Sequence, residues 1–218
     1  VASPWGFEHL VAMVRGWTGK PLQVHCHNHT SVAVANALAA VRGGATVIQA
    51  TVNGLGEFAG QVPIEELAVS AGIHFGIDCG LNLERLTDLS KLVAKAAGVP
   101  LPVNKPVTGP AAFAIPETEE IQQALFGPAR DGRLDEALTF PPGVVGNEAR
   151  MSIGRKCSSW TVAYGLMRMG LEADPSTLED MARDVRAKAA ERTGYYLMSD
   201  EEFADLVKRG GYPLRAIP

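Results

Sequence analysis

One strand–helix–strand repeat near the start of the chain constrains the fold more than any other feature. Residues 21–27 alternate in character and predict a short strand, and residues 31–42 predict a helix that Gly43-Gly44 stops. A second strand is predicted over residues 46–52. Because the links are short and the strands mostly apolar, the two strands are expected to lie parallel in a sheet covered by helices. The first half of the chain is therefore predicted to be α/β.

Helices are predicted on both sides of this repeat. Ser3-Pro4 forms an N-cap and first-turn pair, and apolar residues at helical spacing continue from Phe7 towards Gly16. Further helices are predicted over residues 63–71 and 82–97. No strand precedes the first predicted helix, although a helix of an α/β protein normally lies between two strands. This order is typical of a chain that begins partway through a larger architecture.

The character of the sequence changes after residue 100. Residues 101–116 are rich in proline and glycine and are predicted to be a linker between residues 1–100 and a mostly helical subdomain over residues 117–218. Capping boxes are predicted at Ser176 with Glu179 and at Ser199 with Glu202. The helices predicted for this subdomain span residues 117–126, 158–170, 176–193 and 199–209.

Charge and cysteine content argue against several classes of function. The 20 basic and 24 acidic residues give a net charge of −4 without a basic, aromatic-rich patch, so no nucleic-acid partner is expected. Cys26, Cys79 and Cys157 are odd in number and widely spaced, which favours a reducing compartment, and we expect the cytoplasm. No apolar run reaches the roughly 20 residues of a spanning helix, so no membrane association is expected.

Histidines alternate at the end of the first predicted strand. Side chains two residues apart on a strand point the same way, so His25 and His27 can converge on one divalent cation while Cys26 faces the opposite layer. A third ligand and open positions for substrate would complete such a site. The alternative is that these histidines are hydrogen-bonded polar residues at a strand end. His29 follows the same alternation but is expected to lie beyond the strand.

A glycine-rich turn, Asn-Gly-Leu-Gly-Glu-Phe-Ala-Gly-Gln, covers residues 53–61 directly after the second predicted strand. Its glycines permit close approach of a ligand, and Glu57 could orient a histidine or a metal-bound water. Thr51 and Asn53, at the same strand end, are candidate substrate-binding residues. The alternative is an ordinary tight turn, and the motif is not a dinucleotide fingerprint because it has no third glycine opening a helix. Consecutive strand ends of a βα barrel share one active face, which raises the interest of this turn.

These stretches resemble a known enzyme family. The run over residues 25–67 closely resembles the seventh and eighth βα units of the isopropylmalate, homocitrate and citramalate synthases, which belong to the DRE-TIM metallolyases. That family carries His-x-His-Asn-Asp followed by Asn-Gly-x-Gly-Glu-Arg-x-Gly-Asn. The run Asn-Lys-Pro-Val-Thr-Gly-Pro-Ala-Ala-Phe over residues 104–113 is similar to the family segment that leads to accessory helices. Residues 145–146 and 151–156 resemble its later subdomain more weakly.

The resemblance implies roles for particular residues. The two histidine ligands of the family fall on His25 and His27, and its asparagine ligand falls on Gln61, whose longer side chain ends in the same amide oxygen. The family glutamate falls on Glu57. Where the family places an acid/base histidine across a dimer interface, residues 116–120 read Pro-Glu-Thr-Glu-Glu, which puts Glu120 at the histidine position. The alternative for Glu120 is an exposed glutamate at a helix start.

Other positions depart from the family pattern. His29 and Ser31 stand where aspartate and glycine are usual, and Phe58 stands for arginine. The family's metal-binding aspartate, substrate-binding arginines and catalytic glutamate lie on early strands that have no counterpart in this sequence. Two strands cannot close an eight-stranded barrel. We therefore expect the C-terminal part of a TIM barrel followed by a small mostly helical subdomain, with the N-terminal barrel half supplied by the same polypeptide or by a separate subunit.

The resemblance implies a Claisen-type condensing enzyme. It would join an acyl-CoA, with acetyl-CoA as the expected donor, to a 2-oxo acid, using Zn, Mn or Mg held by His25 and His27 together with Gln61, in a dimer. One alternative is a carbon–carbon lyase of the hydroxymethylglutaryl-CoA type, although Phe58 stands near the position where such lyases carry a cysteine. A second alternative is a non-catalytic subunit, which the departures at Phe58, Gln61 and Glu120 would permit.

Overall fold

The computed structural model describes residues 2–116, 118–194 and 196–217, which form two compact units. The first unit extends to Ala112 and includes Val144–Gly146, and the second contains the remaining residues. Residues 101–112 of the predicted linker therefore pack with the first unit, whereas residues 113–116 belong to the second. Because each unit has its own core, each is described by itself.

The first unit is built from alternating helices and strands. It contains helix α1 (Pro4–Thr18), strand β1 (Gln23–His25), helix α2 (Ala33–Arg42), strand β2 (Val47–Gln49), helix α3 (Ile64–Phe75) and helix α4 (Leu86–Ala97).

The boundaries of these elements follow local chemistry. The predicted cap is confirmed, because Ser3 Oγ accepts a hydrogen bond from the Gly6 N–H at 3.3 Å. Helix α3 runs one turn beyond the predicted end and stops at Gly76, which adopts the left-handed conformation. Helix α4 begins later than predicted because Leu83–Arg85 forms a turn of 3-10 helix.

Strands β1 and β2 pair in parallel, as predicted, with Val24 opposite Ile48 and His25 opposite Gln49. Both strands are shorter than predicted because the chain beyond them pairs elsewhere. His27 bridges to Gln61, and Thr51 bridges to Pro63. The turn that follows β2 therefore folds back beside the ends of both strands.

Helices cover one face of this sheet, and the other face is exposed. Val24 and Cys26 are buried against α1 and α2, whose small residues allow a close approach. A Cβ at Gly43, for example, would lie 2.6 Å from the Glu8 carbonyl oxygen. Gln23, His25, Val47 and Gln49 lie exposed on the opposite face. A parallel sheet is normally covered on both faces, so the polar, exposed face is where a site can form.

A buried ion pair anchors the glycine-rich turn to the rest of the first unit. Lys105 Nζ lies 2.8 Å from Glu65 Oε1 and 2.6 Å from Glu66 Oε1. Only 7% of the Lys105 side chain and 1% of the Glu65 side chain are exposed. Burial disfavours the charged ammonium, but the two carboxylates outweigh this, so the pKa of Lys105 is raised. Glu65 Oε2 also accepts a hydrogen bond from the Asn53 N–H at 3.1 Å, which ties the turn to this pair.

The second unit is mostly helical, with two short strand pairs. Strand β3 (Ala114–Ile115) runs parallel to β4 (Arg150–Met151), and β5 (Leu171–Glu172) runs antiparallel to β6 (Arg215–Ala216). The buried core includes Val162, Leu166, Met181, Val185 and Phe203. The helices are α5 (Glu119–Arg130), α6 (Ser159–Arg168), α7 (Pro175–Ala190) and α8 (Asp200–Gly210).

Capping in the second unit confirms one prediction and corrects another. The predicted box at Ser199 and Glu202 is present, with both reciprocal hydrogen bonds. The predicted box at Ser176 is wrong, because α7 begins one residue earlier and Asp174 is its N-cap. Asp174 Oδ1 accepts from the Thr177 N–H at 3.0 Å, and Pro175 is preorganised for the first helical position. Glu117, the first residue of the helix predicted over 117–126, lies outside the described residues.

No described helix combines the length and the apolar character that crossing a bilayer requires.

The Lys105 ion pair yields a stability prediction. Lys105→Met should lower the free energy of unfolding of the first unit by about 3–5 kcal/mol, because it leaves Glu65 charged and buried without its partner. Chemical denaturation measures this loss. Adding Glu65→Gln to Lys105→Met should recover part of it by removing the unpaired charge. Lys91→Met, at an exposed position of α4, is the control, and an equal denaturation midpoint for Lys91→Met and Lys105→Met would contradict the prediction.

Candidate metal and substrate site

His25 and His27 converge at the end of β1. Their Nε2 atoms lie 3.0 Å apart, and their rings meet edge to face. Cys26 is buried among the helices on the other side, where burial raises the pKa of its thiol. The alternation predicted for this strand is therefore confirmed, and the two imidazoles present their Nε2 atoms to one point.

The second ring nitrogen of each histidine has a different environment. Nδ1 of His25 lies 2.6 Å from Oε1 of Gln49, the residue opposite it in the sheet. Nδ1 of His27 is buried and has no hydrogen-bond partner among the described residues. The His25 ring is thus held by a defined contact, whereas the His27 ring carries a buried nitrogen that has no partner among the described residues.

Gln61 lies beside His27 because the glycine-rich turn returns along β1. The two residues form an antiparallel bridge, and the Asn28 N–H donates to the Gly60 carbonyl at 2.9 Å. Directly opposite residues of an antiparallel pair place their side chains on the same face. The Gln61 side chain also crosses Gly56, where a Cβ would lie 2.9 Å from Gln61 Cγ. A side chain at Gly56 would displace the side chain of Gln61 from this position.

The turn also depends on Gly60. Its φ of +85° lies in the left-handed region, and a Cβ would fall 2.2 Å from the Gly54 carbonyl oxygen. The Gln61 N–H donates to that same carbonyl at 3.0 Å. The glycines therefore allow the chain to fold back closely on itself, which places Gln61 beside His27.

Thr51 and Asn53 occupy different situations at the end of β2. Thr51 follows Gln49 by two residues and continues its alternation, and its Oγ1 is buried without a hydrogen-bond partner in the described part of the chain. The Asn53 side chain is fully engaged with Ser90: Nδ2 donates to the Ser90 carbonyl at 2.9 Å, and Oδ1 accepts from the Ser90 hydroxyl. Asn53 holds the turn against α4, so only Thr51 retains an available polar group.

Glu57 and Phe58 form the exposed tip of the turn. Phe58 has a φ of +57°, and 77% of its surface is exposed. Its ring centroid lies 5.3 Å from that of His27 and 5.1 Å from that of His29. The aromatic ring thus lies on the histidine side of the turn, at the position where the family that this sequence resembles has an arginine.

Glu120 belongs to the second unit. It is exposed in the first turn of α5, beside Glu119, where a carboxylate is favourable for the helix dipole. Its predicted role in proton transfer stays a prediction.

The donor set fits a divalent cation in part. Two imidazole nitrogens bound at about 2.1 Å and at right angles would lie about 3.0 Å apart, which matches the distance between the two Nε2 atoms. The residues in ranges 2–116, 118–194 and 196–217 contain no group of three His, Cys, Asp or Glu side chains suited to hold a metal. Further ligands must therefore be amide oxygens such as that of Gln61, water, or groups outside the described residues.

Two residues that contribute to this region were not predicted. No role was predicted for Gln49, although strand alternation places it two residues before Thr51 on the same face. Lys105 stood in a segment predicted to be a linker, and no local pattern indicates its burial. Gln49 could have been found from the strand register, whereas Lys105 required knowledge of contacts distant in sequence.

Comparison with known proteins supports the family resemblance. Residues 1–93 match the family model described as HMGL-like, which indicates an α/β fold of the TIM-barrel type. The putative (R)-citramalate synthase CimA of Methanopyrus kandleri is 38% identical over 191 residues, covering 85% of this chain and 36% of that protein. The homocitrate synthase AksA of the same organism is 31% identical over 208 residues, covering 95% and 50%.

Two further matches extend the comparison. The probable 2-isopropylmalate synthase of Archaeoglobus fulgidus is 34% identical over 191 residues, covering 85% of this chain and 36% of that protein. A solved HMG-CoA lyase of Acinetobacter baumannii, in complex with coenzyme A and 3-methylmalate, is 30% identical, with a TM-score of 0.40 over 44% of this chain and 34% of that chain. The chain spans between 36% and 50% of the length of these three curated relatives. The motifs of the first unit, the HMGL-like match and the curated relatives together support a place for this chain in the isopropylmalate, homocitrate and citramalate synthase family of the DRE-TIM metallolyases.

Proposed function

We propose that this chain is a part or subunit of a divalent-metal-dependent acyltransferase that condenses an acyl-CoA, with acetyl-CoA as the expected donor, with a 2-oxo acid. The observation that carries the proposal is the convergence of His25 and His27, with Nε2 atoms 3.0 Å apart, beside the glycine-rich turn of the neighbouring strand. The citramalate, homocitrate and isopropylmalate synthases among its relatives support this reaction class.

The exposed face of the β1–β2 sheet supports an incomplete barrel. Gln23, His25, Val47 and Gln49 lie on this face, whereas the interior of a TIM barrel is a packed core. Further parallel strands, supplied by the same polypeptide or by a partner subunit, would cover it and provide the remaining ligands. The accessory unit that follows would be the helical subdomain of the same enzyme.

His25 and His27 are the residues that would hold the cation, and Gln61 would add an amide oxygen. When bound, a divalent ion supplies Lewis-acid polarisation of the carbonyl of the 2-oxo acid. Zn, Mn and Mg are all compatible with two imidazoles and oxygen donors. Gln61 reaches this position because Gly56 leaves room for its side chain.

The other residues of the turn would position substrate. The Thr51 hydroxyl, buried and without a partner among the described residues, can donate a hydrogen bond to a carboxylate or carbonyl oxygen of the 2-oxo acid. Asn53, the other predicted substrate-binding residue, would instead hold the turn in place, since both ends of its amide bind Ser90. Glu57 would orient polar groups at the exposed tip, where the Phe58 ring centroid lies 5.3 Å from that of His27.

Metal content tests the ligand assignment. In the assembled protein that contains this chain, His25→Ala and His27→Ala should each abolish stoichiometric divalent metal, because each removes one of two converging nitrogens. Elemental analysis after dialysis measures the content. His74→Ala, in the last turn of α3, is the matched control and should retain the metal. Equal metal content in all three variants would show that the assignment is wrong.

Release of free CoA thiol tests the reaction. The assembled, metal-loaded protein should release thiol when given acetyl-CoA together with the correct 2-oxo acid, and should release none with either substrate alone. Pyruvate, 2-oxoisovalerate, 2-oxoglutarate and phosphonopyruvate form the panel, and a thiol-reactive dye gives the readout. Silence across the panel would instead favour the lyase or the non-catalytic subunit.

Glu120→Gln separates a catalytic from a structural glutamate. If Glu120 transfers a proton in the reaction, the variant should lower turnover by roughly 10²–10⁴-fold while metal content is unchanged. Glu119→Gln, next to it in the same exposed helical turn, is the control and should keep wild-type turnover. Wild-type turnover in both variants would assign the proton transfer to groups outside this chain.

A further inference from the structure

We propose that Gln49 is a positioning residue that fixes the tautomer and ring orientation of His25. The inference rests on the proposed metal site, and the observation behind it is the 2.6 Å distance between Gln49 Oε1 and His25 Nδ1. An amide oxygen can only accept a hydrogen bond, so Nδ1 must carry the hydrogen. A neutral His25 then has its lone pair on Nε2, the atom that faces His27 at 3.0 Å.

The sheet itself enforces this contact. His25 and Gln49 are directly paired across the parallel strands, and both side chains lie on the exposed face. Val24 and Cys26, on either side of His25, are buried against the helices, which prevents the strand from turning over. Gln49 is therefore held beside the ring by the backbone register, and the hydrogen bond exists before any ligand arrives.

His27 provides the contrast within the same pair. Because His25 Nε2 carries no hydrogen, the 3.0 Å contact between the two rings requires His27 Nε2 to donate. Its Nδ1 is then a bare, buried acceptor without a partner among the described residues, as observed. In the metal-free protein the two histidines should thus hold opposite tautomers. His25 is preorganised to coordinate, whereas His27 must move its hydrogen to Nδ1 before Nε2 can bind.

Gln49 holds the His25 ring through an uncharged partner. A second residue that accepts from the ring N–H of a histidine ligand typically accounts for 10–100-fold in metal affinity. An amide is neutral, so it orients the ring without the added basicity that a carboxylate confers. Replacement of Gln49 by glutamate preserves the hydrogen bond and increases its strength, whereas leucine, of similar size, removes it.

The experiment measures Zn²⁺ affinity by competition with a chromophoric chelator, in the assembled protein that contains this chain. Gln49→Leu should weaken Zn²⁺ binding by about 10–100-fold, and Gln49→Glu should bind at least as tightly as wild type. Gln23→Leu is the matched control, because Gln23 lies exposed on the same face of β1, two residues before His25, and it should leave affinity unchanged. Long-range ¹⁵N–¹H spectra of histidine-labelled, metal-free protein should show His25 as the Nδ1–H form, and Gln49→Leu should shift it towards Nε2–H.

His25→Ala separates this inference from the proposed function. Wild-type Zn²⁺ affinity in His25→Ala would overturn the metal site, and this inference with it. Loss of binding in His25→Ala combined with wild-type affinity in Gln49→Leu would leave the site in place and overturn the role of Gln49. An unchanged His25 tautomer in Gln49→Leu would overturn it as well, whether or not metal binds. Recovery of affinity in Gln49→Glu excludes a general folding defect as the reason for loss in Gln49→Leu.

Discussion

The parallel pairing of β1 with β2, with helices on one face only, is the constraint on which the candidate site depends. Val24 and Cys26 are buried against the helices, so the intervening His25 must lie on the exposed face. A slip of one residue in either strand would exchange those faces and bury the histidines. The same register places Gln49 opposite His25. The chemistry of the site thus follows from the hydrophobic pattern of a few strand residues.

Features that depend on local sequence could be predicted well. The alternation of His25, Cys26 and His27 follows from backbone geometry alone, and the structure confirms it. The caps at Ser3 and Ser199 depend on neighbouring residues and were also predicted. The error at α7 placed the cap at Ser176, two residues after the observed N-cap Asp174. Pro175 decides between them, because its ring fixes the first helical position after Asp174.

Features that depend on distant contacts could not be predicted. Glu65 has the sequence context of a glutamate in the first turn of a surface helix, yet it is 1% exposed because Lys105 reaches it from a segment 40 residues later in the chain. The same contact explains why residues 101–112 pack with the first unit although their composition is typical of a linker. Asn53 likewise has the sequence context of a free polar residue in a turn. In the structure both ends of its amide bind Ser90, which lies on α4.

Backbone strain collects in the segments that carry the site. The described non-glycine residues with positive φ are Ser31, Asn53, Phe58 and Val107, all of which lie in the first unit. Such conformations cost about 1–3 kcal/mol each and persist only where surrounding contacts enforce them.

Two of these strained residues lie among buried contacts, whereas a third is held by the contacts of an exposed ring. Asn53 is held by Ser90 and Glu65, and Val107 lies between buried Lys105 and Thr108. Phe58 is exposed, and its ring contacts are those with His27 and His29. The strained conformation at the tip of the turn is therefore stabilised through the same ring that is a candidate metal ligand. Any change in the orientation of His27 should alter the balance that holds Phe58, which couples the shape of the turn to the state of the histidine pair.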